Sequence, residues 1–476
     1  MTTPVPATSA LPANQREEVI WLYQKAPKIQ PRTVHGWFAG WRWALVWATQ
    51  LVFYGLPWLL WNDRQAVLFD LEARRFFIFG LVLYPQDFIY LTGLLIVSAY
   101  ALFLFTTVAG RLWCGYACPQ TVYTEIFLWI ESRIEGDRMQ RIKRDAASWS
   151  VQKLLRKGGK HLAWGTVALW TGFTFVGYFT PIRSLGVAVW SFGLGPWQSF
   201  WIALYSLATY GNAGWLREQV CLYMCPYARF QSAMFDHDTL IIGYDEKRGE
   251  PRGTRAKRGT DANRPLGDCI DCGLCVQVCP TGIDIRQGLQ YACIGCAACV
   301  DVCDGVMDKM RTPRGLIRYD TQAGLEQAQP ASARWNRVLR PRVLVYSAVL
   351  VVITAALGTS LLVRPTFRVD VERDRGVMAR TVEDGWVENV YRMHLMNNTE
   401  APQRYRVAVQ GLPGAQVELR GPAQAGPAQA RWVPLVVRIP PQAAAALGSG
   451  AHAITFQIDP WTDSSRAEKS SFVVPR

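Results

Sequence analysis

The chain is 476 residues long, half of them apolar and 20 of them Trp, with a formal charge of +14. That length admits two or three domains. A basic balance fits either a nucleic-acid binder or a membrane protein with Lys and Arg in its cytoplasmic loops; their position between long apolar runs excludes the first.

In chain order, residues 1–37 are polar and proline-bearing, without a charged-then-apolar signal pattern. The runs 43–61 and 88–109 reach the roughly 20 apolar residues a helix needs to cross hydrocarbon with its backbone satisfied internally. Between them, 76–84 is apolar, closed by Pro85 and too short to span, and reads as interfacial. Further spans are predicted at 162–180, 197–216 and 343–363, the fourth inside a stretch, 184–216, that carries no charged residue.

Cys114-Gly115-Tyr116-Ala117-Cys118-Pro119 follows the second span, and Cys221-Leu222-Tyr223-Met224-Cys225-Pro226 follows the fourth. The offset of 107 residues indicates an internal duplication of hairpin, motif and basic segment. On a helix, positions i and i+4 share a face, so each pair can present two sulfurs together. The proline disfavours helix at the second cysteine and opens a new helix at its first turn. Free amides at that N-terminus are expected to lower the thiol pKa and favour thiolate. Two such pairs facing each other make a four-thiolate site at the inner membrane surface. Soft thiolates stabilise Cu(I); a dithiol–disulfide couple, a structural metal and plain packing are the other readings.

His237 and Asp238 precede a short predicted strand and a basic, glycine-bearing solvated loop that ends in Gly249–Gly253, "GEPRG". Eight of the 12 cysteines then fall within 269–303, as Cys269-x2-Cys272-x2-Cys275-x3-Cys279 and Cys293-x2-Cys296-x2-Cys299-x3-Cys303. This is the two-cluster ferredoxin spacing, in which the fourth cysteine of each run ligates the other run's cluster. It assigns Cys269, Cys272, Cys275 and Cys303 to one [4Fe–4S] cluster, and Cys293, Cys296, Cys299 and Cys279 to the second. Gly273 and Gly295 supply permissive backbone for such tight loops. Pro280 follows Cys279 as the pattern expects, whereas Asp304 follows Cys303. A zinc knuckle has no use for the third C-x-x-C step, and a reducing cytoplasm disfavours disulfides.

From about residue 364 cysteine disappears and short alternating runs follow: "TFRVDV", "WVENVYRMHLM", "RYRVAV", "VELR", "WVPLVVRI", "AITFQI" and "SFVV". Some seven strands over this length predict an immunoglobulin-like sandwich. Within it Met393–Met396, "MHLM", alternates along a strand and reads as core packing rather than a copper box.

Ten Lys or Arg lie in 111–160, one in 181–196 and three in 62–75. The positive-inside rule therefore puts the N-terminus, the 110–161 loop and 217–342 in the cytoplasm, and the tail outside after five crossings. The expected architecture is a multidomain membrane protein with five transmembrane α-helices, a ferredoxin-like di-cluster α+β segment and a C-terminal all-β immunoglobulin-like sandwich. Its predicted parts are a cytoplasmic segment 1–37, a four-helix transmembrane part 38–235 and a ferredoxin-like domain 236–341. A fifth helix 342–363 and a periplasmic domain 364–476 complete it.

The five spans, both C-x-Y-x-C-P motifs, "GEPRG", the eight-cysteine segment and the β tail together resemble the cytochrome c oxidase accessory proteins of the FixG/CcoG type, found in bacterial inner membranes. The resemblance covers nearly the whole chain. It implies a cupric reductase that supplies Cu(I) for assembly of cbb3-type cytochrome oxidase. Copper would then be the substrate, Cys114, Cys118, Cys221 and Cys225 the thiols that bind it or relay electrons to it, and a copper chaperone or oxidase assembly factor the partner. The electron donor, cytoplasmic or quinol, is not specified. Two other readings stand beside it: a quinol-oxidising membrane ferredoxin feeding a partner reductase, and a non-catalytic assembly scaffold with structural clusters.

Overall fold

The computed structural model describes residues 28–253, 266–326, 339–374, 376, 379–460 and 465–475. Most of the predicted N-terminal segment, and the basic loop beyond Gly253 up to residue 265, lie outside the described residues.

The helical half consists of α1 (Trp37–Gly55), α2 (Phe88–Ala109), α3 (Leu112–Tyr116), α4 (Pro119–Glu135), α5 (Arg138–Ala146), α6 (Val151–Val176), α7 (Ile182–Trp190), α8 (Pro196–Thr209) and α9 (Pro226–Met234). A long helix, Pro341–Leu362, precedes the tail. Each predicted span coincides with helix, yet among the described residues only Pro85–Ala109 and Pro341–Leu362 are long and apolar enough to cross a membrane by length and composition. Hardly any of their side chains are buried by the rest of the chain, as lipid-facing helices require. The other three depart from the expectation for visible reasons. α1 ends at Gly55, and Leu60–Trp61 instead forms a two-residue strand against Arg64–Gln65. α6 opens on Lys153, Arg156, Lys157 and Lys160, and α8 stops after 14 residues and continues as a π-helix over Tyr210–Leu216.

α2 and Pro341–Leu362 pack antiparallel, because positions whose numbers sum nearly to a constant meet. Tyr90 Oη donates to the Ser360 carbonyl at 3.1 Å, a Cβ on Gly93 would strike Leu357, and the Tyr100 and Tyr346 rings lie 6.3 Å apart. Each end of the pair is clamped by arginine. At one end buried Asp87 accepts from Arg364 and Arg368; at the other Arg340 donates to the Thr107 carbonyl at 2.8 Å and pairs with Asp236. The tail therefore starts at the end opposite to the first cysteine motif, separated by a helix about 33 Å long at 1.5 Å per residue.

The apolar run 76–84 has a partner of its own. Val67–Asp70, Arg75–Ile78 and Leu81–Leu83 form an antiparallel three-stranded sheet, whose buried Phe77, Val82 and Tyr84 pack on Met396 and Ala428 of the tail. Tyr84 Oη also donates to the Asn397 carbonyl at 3.0 Å. Its apolarity serves docking of the tail.

The tail is a two-sheet sandwich. One sheet runs Gln416–Leu419, Ala430–Ile439, Val387–Asn397, Phe367–Arg373, with Arg380–Thr381 beside Val387–Asn397. The other runs Gln424–Ala425, Gln403–Gln410, Gly450–Pro460, Arg466–Val474. All seven expected runs are strands. Alternation turns Tyr391, Met393, Leu395, Leu435, Val437, Phe456, Ile458 and Phe472 inward into one core, each large side chain worth roughly 1.5–3 kcal/mol on burial. Met393 is core and His394 stacks on Trp432 at 4.3 Å, so the "MHLM" run is packing.

Candidate iron–sulfur and thiol centre

The ferredoxin-like segment is framed by two antiparallel strands, Leu240–Tyr244 and Ile317–Thr321. Between them the cysteines line two cavities. Cys269, Cys272, Cys275 and Cys303 border one; Cys279, Cys293, Cys296 and Cys299 border the other, which Cys275 also touches. The fourth cysteine of each run is thus carried across to its neighbour's cavity. Cys275 rides on the short helix Leu274–Val278, and Cys299 and Cys303 on Ala298–Met310.

Each loop turns through two left-handed residues at equivalent positions, Asp271 and Gly273 in the first, Gly295 and Ala297 in the second. Glycine occupies a different member of each pair. At Gly295 it is demanded by contact, since a Cβ would lie 3.1 Å from the Arg111 carbonyl oxygen, whereas nothing lies within 4 Å of one on Gly273. Asp304 in place of proline also has a local cause. Cys279 ends its helix, but Cys303 sits inside one that continues to Met310, where proline would remove a backbone hydrogen bond. The Asp304 carboxylate meanwhile accepts from Gly315 N–H at 2.9 Å.

The donor chemistry fits iron–sulfur clusters. Burial, reinforced by neighbouring cysteines, pushes Cys293 and Cys303 up to about 12 and raises Cys296 and Cys299. Such thiols are neutral alone and become ligands only when cations displace their protons. Among the described residues, no three His, Cys, Asp or Glu side chains are grouped to hold a single metal ion. Sulfurs spread around a cavity suit a polynuclear cubane better than one ion.

The surroundings of the two cavities differ. In the first loop Cys272 is exposed, and Arg286 braces the turn through Asp271 at 2.5 Å and Asp284 at 2.7 Å. The second loop is held by the helical part. Arg42 of α1 donates to the Cys296 carbonyl at 2.9 Å. Arg111 donates to the carbonyls of Tyr291 and of Cys293, the latter at 3.2 Å, and to that of Ala228 in α9 at 2.8 Å. Tyr319 Oη donates to the Gly295 carbonyl. Asp301 accepts from the N–H groups of Phe38 and Ala39 at 3.1 and 2.7 Å, an anion at the N-terminus of α1.

The first thiol motif lies against this second loop. A Cβ on Gly115 would fall 2.8 Å from the Gly295 carbonyl and 2.9 Å from Cys296 Cα, so the two backbones touch. Cys114 packs with Cys296, Cys299 and Ile294 in one apolar set. Cys118 and Cys225 are extended residues that each precede a helix opened by proline. Each second cysteine therefore begins the next helix and does not share a helical face with the first. The pairs interlock: Gln231 of α9, fully buried, lies 3.5 Å from Cys114 Sγ, and Tyr291 Oη donates to the Leu222 carbonyl at 3.2 Å. Cys114, Cys118, Cys221 and Cys225 are half-buried, and among the described residues no three of them are grouped closely enough to hold a single metal ion.

At Cys114, Cys118 and Cys221 the expected thiolate character is overturned. Burial pushes Cys114 up to about 11 and Cys221 to about 12. It also raises Cys118, although the Gln120 and Thr121 amides act on that thiol in the opposite direction. Desolvation outweighs the helix terminus.

Sequence comparison agrees with this construction. Residues 216–322 match a 4Fe-4S dicluster domain, 91–136 a 4Fe-4S binding domain, and 357–475 the IG-like fold at the C-terminal of FixG. The nitrogen fixation protein FixG of Rhizobium meliloti is 39% identical over 433 residues, covering 84% of this chain and 83% of its own length. The chain belongs to the FixG family. The FixG relative RdxB of Cereibacter sphaeroides is 40% identical over 409 residues, 84% of this chain and 85% of its own. A crystal structure of a FixG-related protein from Vibrio parahaemolyticus aligns with 23% of this chain and 96% of its own, at 24% identity and a TM-score of 0.21. As a FixG-family member the chain is an iron–sulfur redox protein with an immunoglobulin-like tail.

Sequence reasoning missed Arg42, Arg111, Gln231, Asp301 and Tyr319. Arg42 stands out as a lone charge in an aromatic run, and Gly115 as a glycine inside a thiol motif. Gln231 and Tyr319 carry no local signal.

Proposed function

We propose that this FixG-family protein is a cupric reductase of the bacterial inner membrane, reducing Cu(II) to Cu(I) for assembly of cbb3-type cytochrome oxidase. The observation that carries this reading is the contact of Gly115 with Gly295 and Cys296, which sets the thiol motif directly on the second cysteine loop. When bound, the two [4Fe–4S] clusters supply one-electron storage. The residues supply position: exposed Cys272 marks where a donor approaches, Arg42 and Arg111 fix the second loop, and Gln231 holds Cys114. Reduction takes one electron per copper ion, and the thiol sulfurs of Cys114, Cys118, Cys221 and Cys225 favour the soft product. Because burial keeps Cys114 and Cys221 protonated, copper uptake releases protons and strengthens as pH rises.

In this reading the chain crosses the bilayer five times, with the clusters cytoplasmic and the β tail periplasmic, and a copper chaperone or oxidase assembly factor receives Cu(I). Support comes from the tail and the cluster loops lying at opposite ends of the α2 pair, and from ten basic residues in 111–160.

The test is anaerobic: dithionite-reduced protein is mixed with Cu(II) and a Cu(I)-specific chelator. The parent should give Cu(I) rapidly, and the variant with serine at 114, 118, 221 and 225 at least tenfold more slowly at equal iron content. Equal rates would remove those thiols from the reaction.

A further inference from the structure

The two sets of cluster ligands differ in the charges beside them. In the first set, three of the four cysteines have an aspartate as chain neighbour: Asp268 beside Cys269, Asp271 beside Cys272 and Asp304 beside Cys303. In the second set, no chain neighbour of Cys279, Cys293, Cys296 or Cys299 is charged.

Ion pairs offset part of this field. Asp268 and Asp271 are paired with Arg248 and Arg286 at 2.6 and 2.5 Å, and Arg42 beside the second loop lies 3.7 Å from Glu125. Asp301 is two residues from a ligand of either set, Cys299 and Cys303, and so does not distinguish them. Asp304 and Arg111 enter no ion pair among the described residues. Asp304 accepts from the Gly315 N–H, and Arg111, 8% exposed, donates to three carbonyls. The first set therefore keeps a negative charge beside Cys303, and the second keeps a buried positive charge beside Cys293, whose carbonyl Arg111 holds at 3.2 Å.

Reduction adds an electron to a cluster whose thiolates are already negative, so a nearby carboxylate disfavours it and a nearby guanidinium favours it. Exposure of Cys272 favours reduction of the first set, but the Arg111 charge is buried, where screening is weakest.

We propose that Arg111 and Asp304 order the potentials of the two clusters, the second above the first, so that an electron taken up at the exposed first loop passes inward and comes to rest against the thiol motif. One electron leaves the first cluster and one enters the second, and no bond or proton moves. The inference deepens the redox reading above by giving its electron a direction. It rests on the two clusters and not on copper, which its test leaves out.

That test is an anaerobic, EPR-monitored redox titration of the cluster-loaded full chain in detergent. Two one-electron steps are expected at least 59 mV apart, a tenfold preference of the electron for one cluster. Asp304→Asn keeps a side-chain oxygen for the Gly315 N–H and should raise the lower potential alone. Arg111→Gln should lower the upper potential alone. The idea is overturned by steps closer than 59 mV, by Asp304→Asn moving the upper potential, by Arg111→Gln moving the lower one, or by neither variant moving either. Should Arg111→Gln lose iron, Asp304→Asn decides alone. A chain that fails to reduce copper could still show this order, and one with equal potentials could still reduce copper, so the two readings fail separately.

Discussion

The two cysteine loops share a spacing and a backbone course, yet their settings are opposite. The first has an exposed cysteine and is braced by its own Asp271–Arg286–Asp284 cluster. The second is gripped by Arg42, Arg111 and Tyr319 and touches Gly115. The shared spacing supplies equivalent sets of ligands, and the neighbours decide which copy faces solvent and which faces the thiols. Cluster potential follows charge, hydrogen bonding and exposure, so the copies are expected to differ electronically.

The strongest way to break this comparison is to make the second run obey the first. Asp304→Pro restores Cys-Pro but interrupts Ala298–Met310 and should cost about 3 kcal/mol, seen as lost iron on purification; an unchanged iron content would contradict the helical account of that position. Arg111→Gln removes charge-assisted bonds to the second loop and should cost about 2 kcal/mol while lowering one of two potentials in an EPR-monitored titration. If both potentials move equally, the second loop is not the one Arg111 governs. Gly115→Ala pushes a methyl group against the Gly295 backbone, an overpacking of about 1–2 kcal/mol; Cu(I) production should slow several-fold at constant iron, and a parental rate would separate motif from loop. Gly273→Ala meets open space and should show only the left-handed backbone cost of about 1 kcal/mol.

The smallest effect belongs to the first loop and depends on pH. Hydrogen bonding to Arg286 holds the Asp284 carboxyl below its usual range. Its folded pKa is depressed, so the stabilisation is present above the unfolded value near 3.9 and is lost as pH falls through the folded one. Solvent screening keeps it below about 1 kcal/mol. Hydrogen-exchange protection factors around residues 271–286, taken relative to the intrinsic rate at each pH, should fall below about pH 4 in the parent and be lower at all pH values above that in Arg286→Gln; matching profiles would show that the brace is idle.

Much of this was legible in the chain itself. The spacing of eight cysteines specifies ligand loops because three thiols two residues apart must wrap one cavity, and period-two alternation marked every long strand of the tail, from Phe367–Arg373 to Arg466–Val474. Proline after Cys118 and Cys225 foretold a helix start at each. Helix ends were harder: local apolarity in 43–61 extends past Gly55 into a strand, and 76–84 has the same composition whether it meets lipid or the tail.

Tertiary structure alone decided the rest. Arg111 bonds carbonyls about 180 residues away, and Gln231 reaches Cys114 from the other repeat. It also reversed the thiol expectation, because a helix terminus is local and readable whereas desolvation is summed over everything packed around the sulfur. Sequence determined what each loop can bind; packing determined what each loop stands beside.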